Sequence, residues 1–141
     1  MVKTQIPSET IRAYRKTVYH VSIKRPFDFF IDKRCSQLFR LISVNGAENA
    51  AFLTAFNPGS VEVSLEKNLK AQKQLEKLLD EMAIKFYPGK AIDSSGSWPD
   101  EPSVLALNIN LKQAKLIGAR FQQNGIVWIE DDFVPKLLLL R

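Results

Sequence analysis

Hydrophobic and polar positions change period several times along the chain, and each change marks an element. Residues 17–23 alternate, with Thr17, Tyr19, Val21 and Ile23 on one side and Val18, His20 and Ser22 on the other. That two-residue period predicts a strand. Lys24-Arg25-Pro26 is a turn, and the β-prone run 27–31 is the return strand of a hairpin. Ahead of it, residues 8–14 predict a short helix with Ser8 as N-cap. Asp32 is expected to cap a helix running to Val44, because Cys35, Leu38, Phe39 and Ile42 recur at i, i+3, i+4, i+7. Asn45-Gly46 is its stop signal.

Residues 50–56 are almost wholly apolar, the pattern of a strand buried on both faces, and Asn57-Pro58-Gly59 ends the run. Ser64 is expected to cap the strongest helix, residues 65–82, with Leu65, Leu69, Leu75, Leu78, Leu79 and Met82 as its buried stripe. Residues 85–92 are ambiguous, and Pro88-Gly89 argues against one long strand. Residues 104–109 predict a buried strand, with residues 93–103 as a long loop before it. Asn110 caps a helix from 111 to 122, and strands follow at 126–129 and 134–140. Short strands alternating with helices predict an α/β or α+β fold, a mixed sheet packed with about three main helices.

Composition bounds this picture. At 141 residues, 45% hydrophobic and 25% charged, the chain is an ordinary globular mix, long enough to bury one core. The expectation is one domain over residues 1–141. A single cysteine, Cys35, and a single histidine, His20, exclude a disulfide framework and the dense His/Cys sets of structural zinc. No apolar stretch approaches the ~18 residues that span a bilayer, and no secretory pattern is present. The expected setting is cytoplasmic, with no membrane partner.

Charge is uneven. Residues 1–40 hold nine Lys/Arg against three acids, a net +6, whereas the remaining chain is −1. The expectation is one positive wall, including Arg15, beside a neutral polar pocket.

Chemistry-bearing residues fall in the connections. Asn57 follows a buried strand, Trp98, Glu101 and Ser103 precede another, and Gln123 and Asn124 lead into a third. Were the strands parallel, loops at their carboxyl ends would share a crevice. Asn57 lies at such an end, but Glu101 and Ser103 lead into a strand, so reaching the crevice requires their loop to fold back. Glu101 is the best acid/base candidate, because a carboxylate beside an indole and partly withdrawn from water suits proton transfer. Asn57 and Gln123 would orient a substrate by amide hydrogen bonds, and Ser103 would be a nucleophile only with a base nearby. The competing explanation is structural: Asn57 as turn residue, Ser103 as loop-end cap and Glu101 as acceptor of backbone N–H groups. His20 lacks an evident acidic partner, Cys35 sits on an apolar stripe, and Glu130-Asp131-Asp132 fits a solvated turn better than a Mg²⁺ site. No phosphate loop, dinucleotide fingerprint, GxSxG elbow or HExxH pair occurs.

Tyr14-Arg15-Lys16-Thr17-Val18-Tyr19, residues 52–58, Glu66-Lys67-Asn68, residues 96–103 and residues 121–125 together resemble a bacterial family of unknown function, domain of unknown function 3293. Tyr14-Arg15-Lys16-Thr17-Val18-Tyr19 is similar to its YRxTxY opening, and residues 52–58, FLTAFNP, to its strand and turn. Glu66-Lys67-Asn68 resembles its E-x-N helix start, residues 96–103 its G-x-W-x-E-x-S loop, and residues 121–125 its F-G-Q-N-A turn. Gln122 stands where the family often has Gly, and Gly125 where it often has Ala. The resemblance spans about residues 11–135 and implies no reaction. It adds Arg15 and Asn68 to the candidate positions.

The leading expectation is a protein that binds a polar or anionic small molecule, nucleotides included, in a loop-built pocket of Arg15, Asn57, Asn68, Trp98, Glu101, Ser103 and Gln123. Arg15 would pair with an anionic group and Trp98 supply a stacking wall. Were it an enzyme, Glu101 would be the acid/base of a hydrolysis or group transfer. The sequence names no cofactor and assigns no metal ligand. Two alternatives are a nucleic-acid-binding module, using the basic N-terminal third and its aromatics, and a protein-interaction adaptor.

Overall fold

In the computed structural model, which describes residues 4–141, the alternating stretch forms β1 (Val18–Val21) and the run after the turn forms β2 (Phe27–Phe29). Their pairing is the expected hairpin, with Tyr19 opposite Phe29 and Val21 opposite Phe27. The remaining strands are β3 (Ala50–Leu53), β4 (Phe86–Ile92), β5 (Glu101–Leu107), β6 (Gly125–Ile129) and β7 (Lys136–Leu139). The helices are α1 (Ser8–Lys16), α2 (Ser36–Val44), α3 (Leu65–Glu81) and α4 (Leu111–Arg120).

One seven-stranded sheet runs in the order β2-β1-β4-β5-β3-β6-β7. Every pairing among the described residues is antiparallel. The fold is therefore α+β, and the sheet is antiparallel rather than mixed. The sheet curls until its two edges meet: Asp32 N donates to Pro135 O at 2.8 Å and Cys35 N to Phe133 O at 3.3 Å, joining the end of β2 to the approach to β7.

Both faces are apolar, as the unbroken burial of β3 requires. The inner face packs Tyr19, Phe29, Phe52, Leu105 and Ile129 against Leu38 and Ile42 of α2. The outer face packs Leu53, Val104, Ile126 and Trp128 against α3 and α4. α1 buries no residue.

Several local expectations change. Pro7, not Ser8, is the N-cap of α1, with no side-chain cap bond. α2 starts three residues later than expected, because Asp32 adopts a left-handed φ of 65° and Cys35 takes the N-cap position while staying in the core. β4 runs straight through Pro88-Gly89. The carbonyl of Pro88 accepts from Ser22 N just past the end of β1. Its missing N–H thus falls where the ladder stops. β5 begins at Glu101, so the loop before it is short.

The buried row of α3 is Asn68, Gln72, Leu75 and Leu79, while Leu65 and Leu69 are exposed. The first half of this helix covers the chain leaving β3, whose free backbone N–H groups need polar partners rather than leucines. Of the four N-caps expected from sequence, Ser64 and Asn110 are present: Ser64 accepts from Lys67 N, and Asn110 forms a capping box with Gln113.

Candidate functional site

Antiparallel pairing sets the site. Leu53 at the end of β3 lies opposite Val104 near the start of β5. The turn after β3 and the first residues of β5 are therefore neighbours, and no loop has to fold back. Ala91 at the end of β4 lies opposite Glu101, which brings the loop carrying Trp98 to the same end of the sheet.

That end encloses a cavity of about 480 Å³, within the usual range for small-molecule sites. Tyr19 and Phe52 contribute its aromatic wall, in edge-to-face contact at 5.4 Å, and Tyr19 also stacks on Phe29. Glu9, Thr10, Ala13 and Tyr14 of α1 line it from another side. Burial pushes the Tyr19 phenol above its ordinary range, and its hydroxyl donates to Tyr14 O at 3.0 Å.

Asn57 organises the polar part. Its backbone is left-handed, with φ 48°, a conformation asparagine tolerates better than most residues. Its Nδ2 donates to Glu101 Oε2 at 2.7 Å, and the Trp98 indole N–H reaches the same oxygen at 3.0 Å. Asn57 Oδ1 accepts from Asn68 Nδ2 at 2.8 Å and Val63 N at 3.1 Å, and Asn68 Oδ1 accepts from Asn57 N at 2.8 Å. One turn further along α3, Gln72 Oε1 accepts from Ala55 N at 2.9 Å. Two side-chain amides at i and i+4 thus hold alternate backbone N–H groups of the segment leaving β3. Gln72 was not among the sequence candidates; the one signal for it was its place four residues after Asn68.

Gln123 is aimed by the end of α4. Gln123 N donates to Gly118 O and Gln122 N to Ala119 O, and Gln122 has a φ of 56°. This is a Schellman ending, whose left-handed position favours glycine. Gln122 fills that position at a steric cost. Gln123 Nε2 donates to Phe56 O at 3.0 Å. Nearby, Asn124 Nδ2 donates to Tyr14 Oη at 3.1 Å and Ser60 Oγ at 3.2 Å, and Tyr14 and Ser60 bond each other, tying α1 across the cavity.

Of the seven sequence candidates, Asn57, Trp98, Glu101, Ser103 and Gln123 line the one cavity, and Asn68 stands behind Asn57. Arg15 does not join them. Its guanidinium pairs with Asp32 at 2.8 Å, both side chains being exposed. The positive wall expected beside the pocket is absent: the charged lining residues are Glu9, Asp93 and Glu101, with no Lys or Arg among the described ones. Ser103 is buried, and its hydroxyl donates to Glu101 O at 3.0 Å. Asp93 accepts from Ser95 and Ser97, folding the loop before Trp98, and those bonds, the Ser95 hydroxyl first, hold its carboxyl below the usual range.

Residues outside the cavity are also placed. His20 has an acidic partner after all: Nδ1 is 2.7 Å from Oδ1 of Asp28, its register neighbour across the hairpin. Glu130 accepts from the Trp128 indole, and Asp132 from Val134 N and Lys136. No group of three His, Cys, Asp or Glu among the described residues is placed to hold a metal ion. Of the five aromatics that a nucleic-acid reading would use for stacking, Tyr19, Phe27 and Phe29 are core residues, Tyr14 lines the cavity and Phe30 is exposed. No helix among the described residues is long and apolar enough to cross a membrane.

The fold and site thus define an α+β domain with a polar-floored cavity at one end of a curled antiparallel sheet. Residues 53–126, just over half the chain, match the family described as "Protein of unknown function (DUF3293)", and the chain belongs to that family. The matched region contains every cavity residue singled out above except those of α1 and β1 and Phe52, and it excludes Arg15. No curated protein and no solved structure matches the chain.

Proposed function

We propose that this chain is a bacterial cytoplasmic protein that binds a polar small molecule in the cavity, with Glu101 as the anchoring carboxylate. One observation carries the reading: in Glu101, which lines the cavity, Asn57 and Trp98 both bond Oε2, while Oε1 has no protein donor among the described residues. A carboxylate fixed through one oxygen leaves the other oriented for a ligand. The acidic lining favours a neutral or cationic ligand over the anionic or nucleotide one expected from sequence. Were a bound molecule turned over, Glu101 is the group positioned to move a proton, since the Ser103 hydroxyl is engaged with a carbonyl.

A thermal-shift screen over metabolites tests this. A ligand present at 100 times its Kd stabilises by about 2.7 kcal/mol. At least one polar compound should raise the melting temperature of wild type, and the rise should disappear in Glu101→Ala and shrink in Trp98→Ala. A hit whose shift survives Glu101→Ala would remove the carboxylate from the site.

A further inference from the structure

Around Glu101 and Gln123 the side-chain donors are spent whereas acceptors remain; of the lining hydroxyls, those of Thr10 and Ser97 donate to no protein group among the described residues. Asn57 Nδ2 and Trp98 Nε1 are committed to Glu101, Gln123 Nε2 to Phe56 O, and the Tyr19 hydroxyl to Tyr14 O. The hydroxyls of Ser103 and Thr54 donate to the backbone carbonyls of Glu101 and Pro102. Left over are Oε1 of Glu101 and Oε1 of Gln123, neither with a protein donor among the described residues. Gln123 is about nine-tenths buried, and what exposure it keeps is to the cavity it lines. An unpaired acceptor in such a place marks where a ligand donor belongs. The carboxylates Glu9 and Asp93, also in the cavity lining, add negative potential.

From this inventory we infer that the ligand is an organic cation, a primary ammonium or guanidinium carried on an apolar or aromatic body. The inference rests on the cavity being a ligand site. Ammonium and guanidinium groups bring three to five N–H donors and no acceptor, the complement of this wall. Two acceptors, one of them charged, would receive them through charge-assisted bonds. Phe52, Phe56, Trp98 and Tyr19 line the cavity with aromatic surface for the cation and its apolar body. A phosphate or carboxylate ligand would instead place acceptors against acceptors.

The test is an isosteric series titrated calorimetrically at pH 7: tyramine, its alcohol analogue tyrosol, and 4-hydroxyphenylacetate. These share one ring and differ in carrying a cation, a neutral hydroxyl or an anion. Tyramine should bind about tenfold or more tightly than tyrosol, and 4-hydroxyphenylacetate should be weakest. Glu101→Gln, if its melting temperature stays near wild type, should bring tyramine close to tyrosol. The wild-type comparison stands on its own if that variant does not fold. Equal affinity for tyramine and tyrosol, tighter binding of the anion, or no binding of tyramine overturns the inference. If the metabolite screen still yields a neutral Glu101-dependent ligand, the cavity reading survives that result; if the screen also yields nothing, both fail.

Discussion

Asn57→Ala is expected to destabilise the fold by about 3–4 kcal/mol and to abolish ligand binding. The cost has named parts. Asn68 Nδ2 is buried and loses its acceptor, leaving an unpaired donor at about 1–3 kcal/mol. Alanine must also hold the left-handed backbone of this position, at about 1–2 kcal/mol less whatever asparagine already bears. Val63 N loses its partner too, but it is only half-buried and water replaces part of that bond. Glu101 loses one of its two donors and with it a fixed orientation. Chemical denaturation should show the loss as a lower midpoint at unchanged slope. Because Asn57 and Asn68 serve each other through both backbone and side chain, Asn57→Ala and Asn68→Ala should cost less together than the sum of the single changes. Strict additivity would mean that the paired amides do not act as a unit.

Gly89→Ala is expected to be the other large loss, about 3 kcal/mol, by a different mechanism. A methyl group at this position would lie 2.4 Å from His20 O on β1 and 3.0 Å from the Phe52 ring. The first contact is backbone of the neighbouring strand and cannot rotate away, and overpacking of this kind costs about 1–3 kcal/mol or more. Gly89 pairs with Val21 on one side and Ser103 on the other, so relief requires β1 to move off β4. Since Tyr19 of β1 and Phe52 of β3 both wall the cavity, the variant should also weaken binding of any cavity ligand. Equilibrium unfolding of Gly89→Ala beside wild type measures the first effect, and a near-neutral result would show that β1 approaches β4 less closely than this structure has it.

How far these features were legible in sequence depends on whether one residue carried its own signal. The β1–β2 hairpin, the Ser64 and Asn110 caps and the Asn45-Gly46 stop were legible because the alternation, the capping side chains and the glycine are each local. Gly46 does occupy a left-handed position at the end of α2, with the same pair of backbone bonds as at Gln122. The ends of α3 and α4 were blurred because Ala83 and Gln122 hold that conformation without being glycine. Strand direction was not legible, since alternating strands and helices fit parallel and antiparallel sheets alike. Antiparallel pairing is what brings Glu101 beside Asn57.

Among the candidate residues, those with short polar or aromatic side chains at strand ends converged, because their backbone positions were fixed by the strands. Arg15 did not. Its long side chain is free to choose a partner, and Asp32, across the approach of the two sheet edges, was near only in three dimensions. Leu65 and Leu69 misplaced the buried stripe of α3 for a related reason: the row that faces inward begins with two amides, which a hydrophobic count passes over. The net +5 of the chain likewise says nothing of a cavity whose charged lining is acidic.

The two tryptophans offer the most direct test of the site. Trp98 donates its indole N–H to Glu101 in the cavity, whereas Trp128 donates its own to Glu130 elsewhere. In a nitrogen-15 NMR titration with the compound that most raises the melting temperature, the Trp98 indole N–H resonance should move in step with binding while that of Trp128 stays in place. Saturable binding that leaves Trp98 unmoved, or moves Trp128 instead, would contradict a ligand site at Glu101.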